Sequence, residues 1–105
     1  MDIQLKKGLL EFCVLAVLKK SDSYGYQIIK DISSCIEMSE STLYPILKRL
    51  ESGSYLKTYS VEHNSRLRKY YQITDKGKEY IDEFLDEWKQ VMEIYYFIKG
   101  ASYNE

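Results

Sequence analysis

Hydrophobic residues along this chain recur first at helical spacing, then at alternate positions, and finally at helical spacing again. The helical spacing predicts a helix in each of four stretches, which are residues 3–19, 24–35, 39–53 and 75–98. Between the last two, alternation over 55–63 and 66–74 predicts two strands joined by a polar turn around His63, Asn64 and Ser65. The predicted fold class is therefore mainly α with a small β-hairpin.

The third predicted helix has one apolar and one polar face. The apolar face is predicted to be buried and consists of Leu43, Ile46, Leu47 and Leu50. The other face carries hydroxyls, a phenol and two cations, namely Ser41, Thr42, Tyr44, Lys48 and Arg49. Such a face suits the major groove of DNA, although an ordinary solvated helix face has the same composition.

Both ends of this helix have candidate capping residues. Ser39 or Ser41 can accept the first free backbone N–H groups. Pro45 favours a start at Ser41, because its missing N–H costs little only near the beginning of a helix. Gly53 follows the last periodic leucine and is predicted to end the helix in a left-handed cap.

In the preceding helix, Gly25 would allow another segment to approach closely.

Positive charge is concentrated in one third of the chain. The whole chain has a net charge of −1, with 15 basic and 16 acidic residues, yet residues 41–73 contain six Lys or Arg against two Asp or Glu. Arg66, Arg68 and Lys69 lie at and after the predicted hairpin turn. They suit contact with phosphate or the minor groove, or they protect an edge strand from aggregation. The segregation is typical of a module that presents one basic surface to DNA.

The first and last helices carry more apolar surface than a domain of this size needs. One face of the first helix is predicted to meet the core through Leu9, Leu10, Cys13, Val14, Val17 and Leu18. A second face, which consists of Leu5, Gly8, Phe12 and Leu15, is predicted to meet a partner chain. The last helix has a seam at coiled-coil spacing, formed by Ile81, Phe84 or Leu85, Trp88, Val91 or Met92, Tyr95 and Ile98. The seam predicts a homodimer, unless the helix folds back over its own core.

Several other classes of protein are disfavoured. The chain has no 18-residue apolar run and no signal-peptide pattern at Met1–Lys7, so it is expected to be cytoplasmic, without membrane association. Cys13 and Cys35 are expected to be a reduced, buried pair, with a redox switch as the alternative. One histidine and no His/Cys cluster predict no metal site. The chain shows no set of nucleophile, base and orienting group, so it is not expected to be an enzyme. No cofactor is expected.

Three motifs, in this order along the chain, resemble those of the PadR family of bacterial transcriptional regulators. The resemblance is to the short branch of the family, which has a single C-terminal helix instead of a larger effector domain. The motifs are YGYQI at the second helix, STLYPILKRLE with Gly53 after the third, and RKYYQITDKGKEYI from the second strand into the last helix. The resemblance implies a winged helix-turn-helix domain over 1–74 and a dimerisation helix over 75–105, forming one compact unit. The chain departs from the family where Ser41 replaces a common glycine and where the wing, EHNSRLRK, has few glycines and prolines.

The resemblance also implies a function and its residues. It implies a homodimeric repressor that binds double-stranded DNA at a palindromic operator. Ser41, Thr42, Tyr44 and Lys48 would face the major groove, and Arg66, Arg68 and Lys69 would hold the wing and the phosphates. An alternative function is a protein-interaction module that uses the wing and exposed tyrosines.

The resemblance also gives a role to Trp88. In the short branch, a tryptophan at this position of the last helix lines an apolar cavity at the dimer interface, which would admit a small planar aromatic ligand. The candidate effector-binding residues are Leu5, Gly8, Phe12, Leu15, Leu85, Trp88 and Met92. Plain packing of Trp88 between two protomers is the alternative, because interface cores and ligand pockets share a composition.

Overall fold

The structure, a computed structural model, describes residues 1–101. Within them the chain forms four helices and one antiparallel two-stranded sheet. In chain order the elements are α1 (Ile3–Lys20), α2 (Gly25–Ser33), α3 (Glu40–Ser52), β1 (Leu56–His63), β2 (Arg66–Ile73) and α4 (Asp75–Lys99). The predicted fold class is confirmed, and the part of the predicted C-terminal segment at 102–105 lies outside the described residues.

The hydrophobic core is built mainly from one face each of α1, α2 and α3. The predicted buried face of α3 is confirmed, since all four of its apolar side chains are buried. On α1 the prediction for Leu15 was wrong, because this side chain is fully buried beside Val14 instead of lying on an outer face. Helix α1 packs against α2, α3, α4 and β2, so the sector that it buries is wider than one narrow stripe.

Helix α3 begins at Glu40, with Ser39 in the capping position. The Ser39 side chain does not bond the backbone, since its Oγ lies 3.1 Å from the hydroxyl oxygens of both Ser41 and Thr42. The predicted start at Ser41 was therefore wrong, and Pro45 lies inside the helix. Because proline has no N–H, the Ser41 carbonyl lacks the donor that would normally reach it four residues later.

The end of α3 also differs from its prediction. Gly53 has a φ of −83°, and Ser54 instead takes the left-handed conformation with a φ of 65°. The Tyr55 N–H then donates to the Leu50 carbonyl at 2.9 Å. Gly53 is needed for space, because a Cβ there would lie 2.6 Å from the Tyr55 ring.

The wing is a regular hairpin tied to the loop before α2. Its register runs from Leu56 opposite Ile73 to His63 opposite Arg66. At the tip, Asn64 and Ser65 have positive φ values of 52° and 63°, as the type I′ turn of a two-residue hairpin loop requires.

One isolated β-bridge joins the wing to the loop before α2. Ser23 and Tyr71 exchange two backbone hydrogen bonds of 3.2 and 2.7 Å. Antiparallel pairing of this kind fixes both segments, so the bridge holds the start of α2 beside β2.

Helix α4 is anchored at its beginning and projects from the body of the protein. The Thr74 hydroxyl accepts a hydrogen bond from the Gly77 N–H at 3.1 Å and caps the helix. Gly77 and Ile81 are its buried residues, and the described chain measures 58 × 27 × 23 Å. The second half of α4 therefore does not fold back over its own core. None of the helices in residues 1–101 is both long enough and apolar enough to cross a membrane.

The two cysteines are free thiols in different environments. Cys13 is half-buried and Cys35 is exposed, so the prediction of a buried pair was wrong for Cys35. Burial, with a smaller contribution from nearby Cys35, raises the pKa of the Cys13 thiol. Cys35 follows the end of α2, where no further turn of helix covers it.

Candidate nucleic-acid interface

Four of the seven predicted DNA-binding residues lie around two neighbouring hollows between α2, α3 and β2. The first hollow, of about 510 Å³, is lined by Tyr24, Gly25, Tyr26, Tyr44, Arg68, Lys69 and Tyr71. The second hollow, of about 310 Å³, is lined by Tyr44, Leu47, Lys48, Glu51, Lys69 and Tyr71. Tyr44, Lys69 and Tyr71 border both hollows. We call Tyr44, Lys48, Arg68 and Lys69 the α3–wing surface.

The other three predicted residues flank this surface. Ser41 and Thr42 lie on the first turn of α3, exposed and half-exposed, and line neither hollow. Arg66 lies at the wing tip beside a third hollow of about 420 Å³, which Arg68 also lines. Along α3 the hydroxyls therefore precede Tyr44 and Lys48, and the other three cations lie on β2 of the wing.

Two of the three cations of β2 rest on aromatic rings. The Arg68 guanidinium lies 4.0 Å from the centre of the Tyr24 ring, and the Lys69 ammonium lies 5.5 Å from that of Tyr71. Such contacts hold the charge in place while leaving N–H donors free. Burial, followed by the influence of Tyr44 and Glu51, raises the pKa of the Tyr71 hydroxyl, which stays protonated at neutral pH.

Three tyrosines in contact with one another continue from the ring on which Arg68 rests. Tyr24 meets Tyr70 edge-on at 5.5 Å, and Tyr70 stacks on Tyr59 at 5.6 Å between ring centres. The Tyr59 hydroxyl donates a 2.6 Å hydrogen bond to the Asp22 carboxylate, which raises the pKa of Tyr59. Together with the Ser23–Tyr71 bridge, these contacts fix the wing against α2.

Sequence reasoning missed the support that Tyr24 and Tyr59 give to this surface, and it missed exposed Tyr26 at its rim. Tyr59 faces Tyr70 across the hairpin, so strand register could have paired those two. The approach of Tyr24 depends on tertiary structure and left no local signal.

Arg49, the second cation on the polar face of α3, turns away from the α3–wing surface. Its guanidinium lies 3.7 Å from the Glu11 carboxylate on α1. Because most of the Arg49 side chain is exposed, this pair contributes little to stability. It does remove one cation from the set that can face DNA.

The candidate effector residues are only partly brought together within one chain. Phe12 stacks on Phe84 at 4.0 Å, and Phe84 lies 5.7 Å from Trp88. Phe12 and Leu85 line an open apolar groove of about 910 Å³ between α1 and α4. Leu5, Gly8, Trp88 and Met92 do not line this groove, and Leu15 is buried in the core.

The order of helices and hairpin, with a basic surface on the third helix and the wing, defines a winged helix-turn-helix protein. The model of the transcriptional regulator PadR-like family matches residues 14–83, and the chain belongs to this family. Members of the family are transcriptional regulators and not enzymes, so the predicted class is confirmed.

Solved structures agree with this assignment. A protein of Streptococcus mutans UA159 is 45% identical, with a TM-score of 0.77 and 88% of each chain covered. A transcriptional regulator from Clostridium thermocellum is 32% identical, with a TM-score of 0.80 and coverage of 90% of this chain and 93% of the other. Bacillus subtilis PadR, in complex with operator DNA, is 24% identical, with a TM-score of 0.69 and coverage of 73% and 46%.

Proposed function

We propose that this regulator is a homodimeric repressor that binds a palindromic operator through α3 and the wing. The observation that carries the proposal is the convergence of Tyr44, Lys48, Arg68 and Lys69 around two adjoining hollows. Bacillus subtilis PadR, which has the same fold, was solved with operator DNA. A repressor of this kind acts by occupying its operator.

The residues of the interface make two kinds of contact with DNA, to phosphates and to base edges. Lys69 and Arg68 neutralise phosphates, because cations at the edge of a groove contribute affinity without base specificity. Tyr44 and Thr42 present a phenol and a hydroxyl from the exposed face of α3, from where they reach base edges. Arg66 extends the contact to the wing tip, beside the neighbouring minor groove.

Dimerisation brings two such surfaces together. In the second half of α4, Val91, Ile94, Tyr95 and Ile98 repeat at helical spacing and are all exposed. We call these four residues the α4 apolar patch. Ile98 keeps 78% of its surface exposed, which is unfavourable unless a second chain covers it. A two-fold pair of α4 helices would give the two-fold symmetry that a palindromic operator requires.

An effector site belongs to this proposal as well. Trp88 is half-buried against Phe84, and the groove beside it is open and apolar. A second chain would close that side and bring Leu5, Gly8, Met92 and Trp88 near it. Fluorescence of Trp88, the single indole of the chain, tests for a planar aromatic ligand. Saturable quenching supports the site, and unchanged emission across diverse planar compounds contradicts it.

DNA binding is tested with a duplex selected from a randomised pool by the wild-type protein, and with a scrambled duplex of equal composition. Lys69→Ala should weaken binding to both duplexes and reduce the slope of log affinity against log salt by about 1. Tyr44→Ala should weaken binding to the selected duplex by roughly tenfold or more while changing the scrambled one little. Fluorescence anisotropy at several salt concentrations measures both effects.

The matched control is Lys89→Ala, which removes the same charge from α4, away from the α3–wing surface. It should bind both duplexes as the wild type does. If the wild type selects no sequence and its weak binding is independent of salt, the DNA-binding proposal fails, and a protein-interaction module becomes the better explanation. If Tyr44→Ala binds the selected duplex normally, the reading face has been placed on the wrong residue.

A further inference from the structure

The first residue of α2, Gly25, lies against Tyr44, one of the residues that border both hollows. Gly25 is buried, and an added Cβ at this position would collide with the Tyr44 hydroxyl oxygen. The same Cβ would lie 3.1 Å from Cζ and 3.4 Å from Cε1 of the Tyr44 ring. The phenol of Tyr44 therefore rests on the bare backbone of α2, in space that exists only because residue 25 has no side chain.

This contact determines which way the Tyr44 side chain points. Tyr44 is 47% exposed, so one part of the residue rests on α2 while another part borders the two hollows. Any side chain at position 25 would therefore displace the Tyr44 phenol from this place. The displaced atoms belong to the tip of a flexible side chain, so the fold can absorb the change although the phenol cannot keep its place.

We infer that Gly25 is a positioning residue for sequence recognition, which acts by holding the Tyr44 phenol where it reads base edges. The inference rests on the proposed function and deepens it, since it adds a residue from α2 to the determinants of specificity. Gly25 does not need glycine for its backbone. Among the described glycines only Gly100 has a positive φ, and alanine fits the helical conformation of residue 25.

Binding of the selected and the scrambled duplex by four proteins tests the inference. They are the wild type, Gly25→Ala, Tyr44→Ala and the double variant. Gly25→Ala should lose roughly tenfold or more in affinity for the selected duplex, which is within the range that a base contact contributes. Its affinity for the scrambled duplex and its salt slope should stay unchanged, because the phosphate contacts remain. In the Tyr44→Ala background, Gly25→Ala should have no further effect.

A conservative variant and a control complete the experiment. Tyr44→Phe removes the oxygen that meets the new Cβ, so Gly25→Ala should cost less in that background than beside the native tyrosine. Ser33→Ala, an exposed change at the far end of α2, should leave DNA binding unaltered. Gly25→Ala should unfold at a temperature no lower than the wild type, because alanine favours a helix over glycine.

Three outcomes would overturn the inference. The first is normal affinity of Gly25→Ala for the selected duplex. The second is an equal loss with and without Tyr44, which would mean that Gly25 acts independently of the tyrosine. The third is a loss on both duplexes, which indicates general damage to the surface. A wild-type protein that selects no DNA would instead contradict the proposed function, and that result is separate from these three.

Discussion

Replacing Ile94 with glutamate tests whether the α4 apolar patch joins two chains. Ile94 lies in the middle of the patch, and no described residue of its own chain covers its outer side. Ile94 has 59% of its surface exposed, and burying a whole isoleucine contributes about 1.5–3 kcal/mol, so its loss from both copies of a dimer weakens association by about 2–4 kcal/mol. The dissociation constant of the dimer should rise by roughly 30- to 700-fold.

Sedimentation velocity over a range of protein concentrations measures this change. Glutamate is a good helix former, so the far-UV circular dichroism of Ile94→Glu should match that of the wild type. Lys89→Gln is the matched control, since it changes the charge by the same amount at an exposed position on another face of α4. The reasoning is refuted if Ile94→Glu pairs as tightly as the wild type, or if both are monomers even with operator present.

Three further predictions concern the core, the wing and the thiols. Leu47→Ala should lower the free energy of unfolding by about 2–5 kcal/mol, measured by urea titration at fixed protein concentration, because Leu47 is fully buried; an unchanged midpoint would contradict that burial. Tyr59→Phe removes the hydrogen bond to Asp22 and should speed hydrogen exchange of amides at the base of the wing, measured by NMR, whereas unchanged exchange would mean that the bond does not hold the wing. Cys35 should react with iodoacetamide before Cys13, because burial raises the pKa of Cys13 and leaves less thiolate. Mass spectrometry of the labelled peptides measures the order of reaction, and faster labelling of Cys13 would contradict the prediction.

Local spacing was enough to predict most elements of the fold. The buried face of α3 and the length of α4 follow from apolar side chains that recur at helical spacing, a property of neighbouring residues. The hairpin followed from alternation and from a short polar turn. Leu15 escaped the same reasoning because its burial depends on how many elements surround α1, which spacing does not encode.

The candidate site was predictable by residue type but not by arrangement. Basic residues near the turn indicated a wing, and Tyr44 was named from the polar face of α3. The stacking of Arg68 on Tyr24, and the bridge between Ser23 and Tyr71, join segments that are far apart in sequence. The turn after α3 differs from its prediction by one residue, since Ser54 and not Gly53 takes the left-handed conformation, and the glycine after the last periodic leucine did not distinguish the two.

The root of α4 has a mechanical consequence. Gly77 packs against the backbone carbonyl of Tyr55, and a Cβ at residue 77 would lie 2.7 Å from the Ile73 side chain. Helix α4 therefore contacts the winged helix-turn-helix domain without an intervening side chain. At about 1.5 Å per residue, the 25 residues of α4 form a lever of about 37 Å, and a tilt of about 5° at its root moves the far tip by about 3 Å. Small angular changes at one end are thereby magnified into displacements of atomic size at the other.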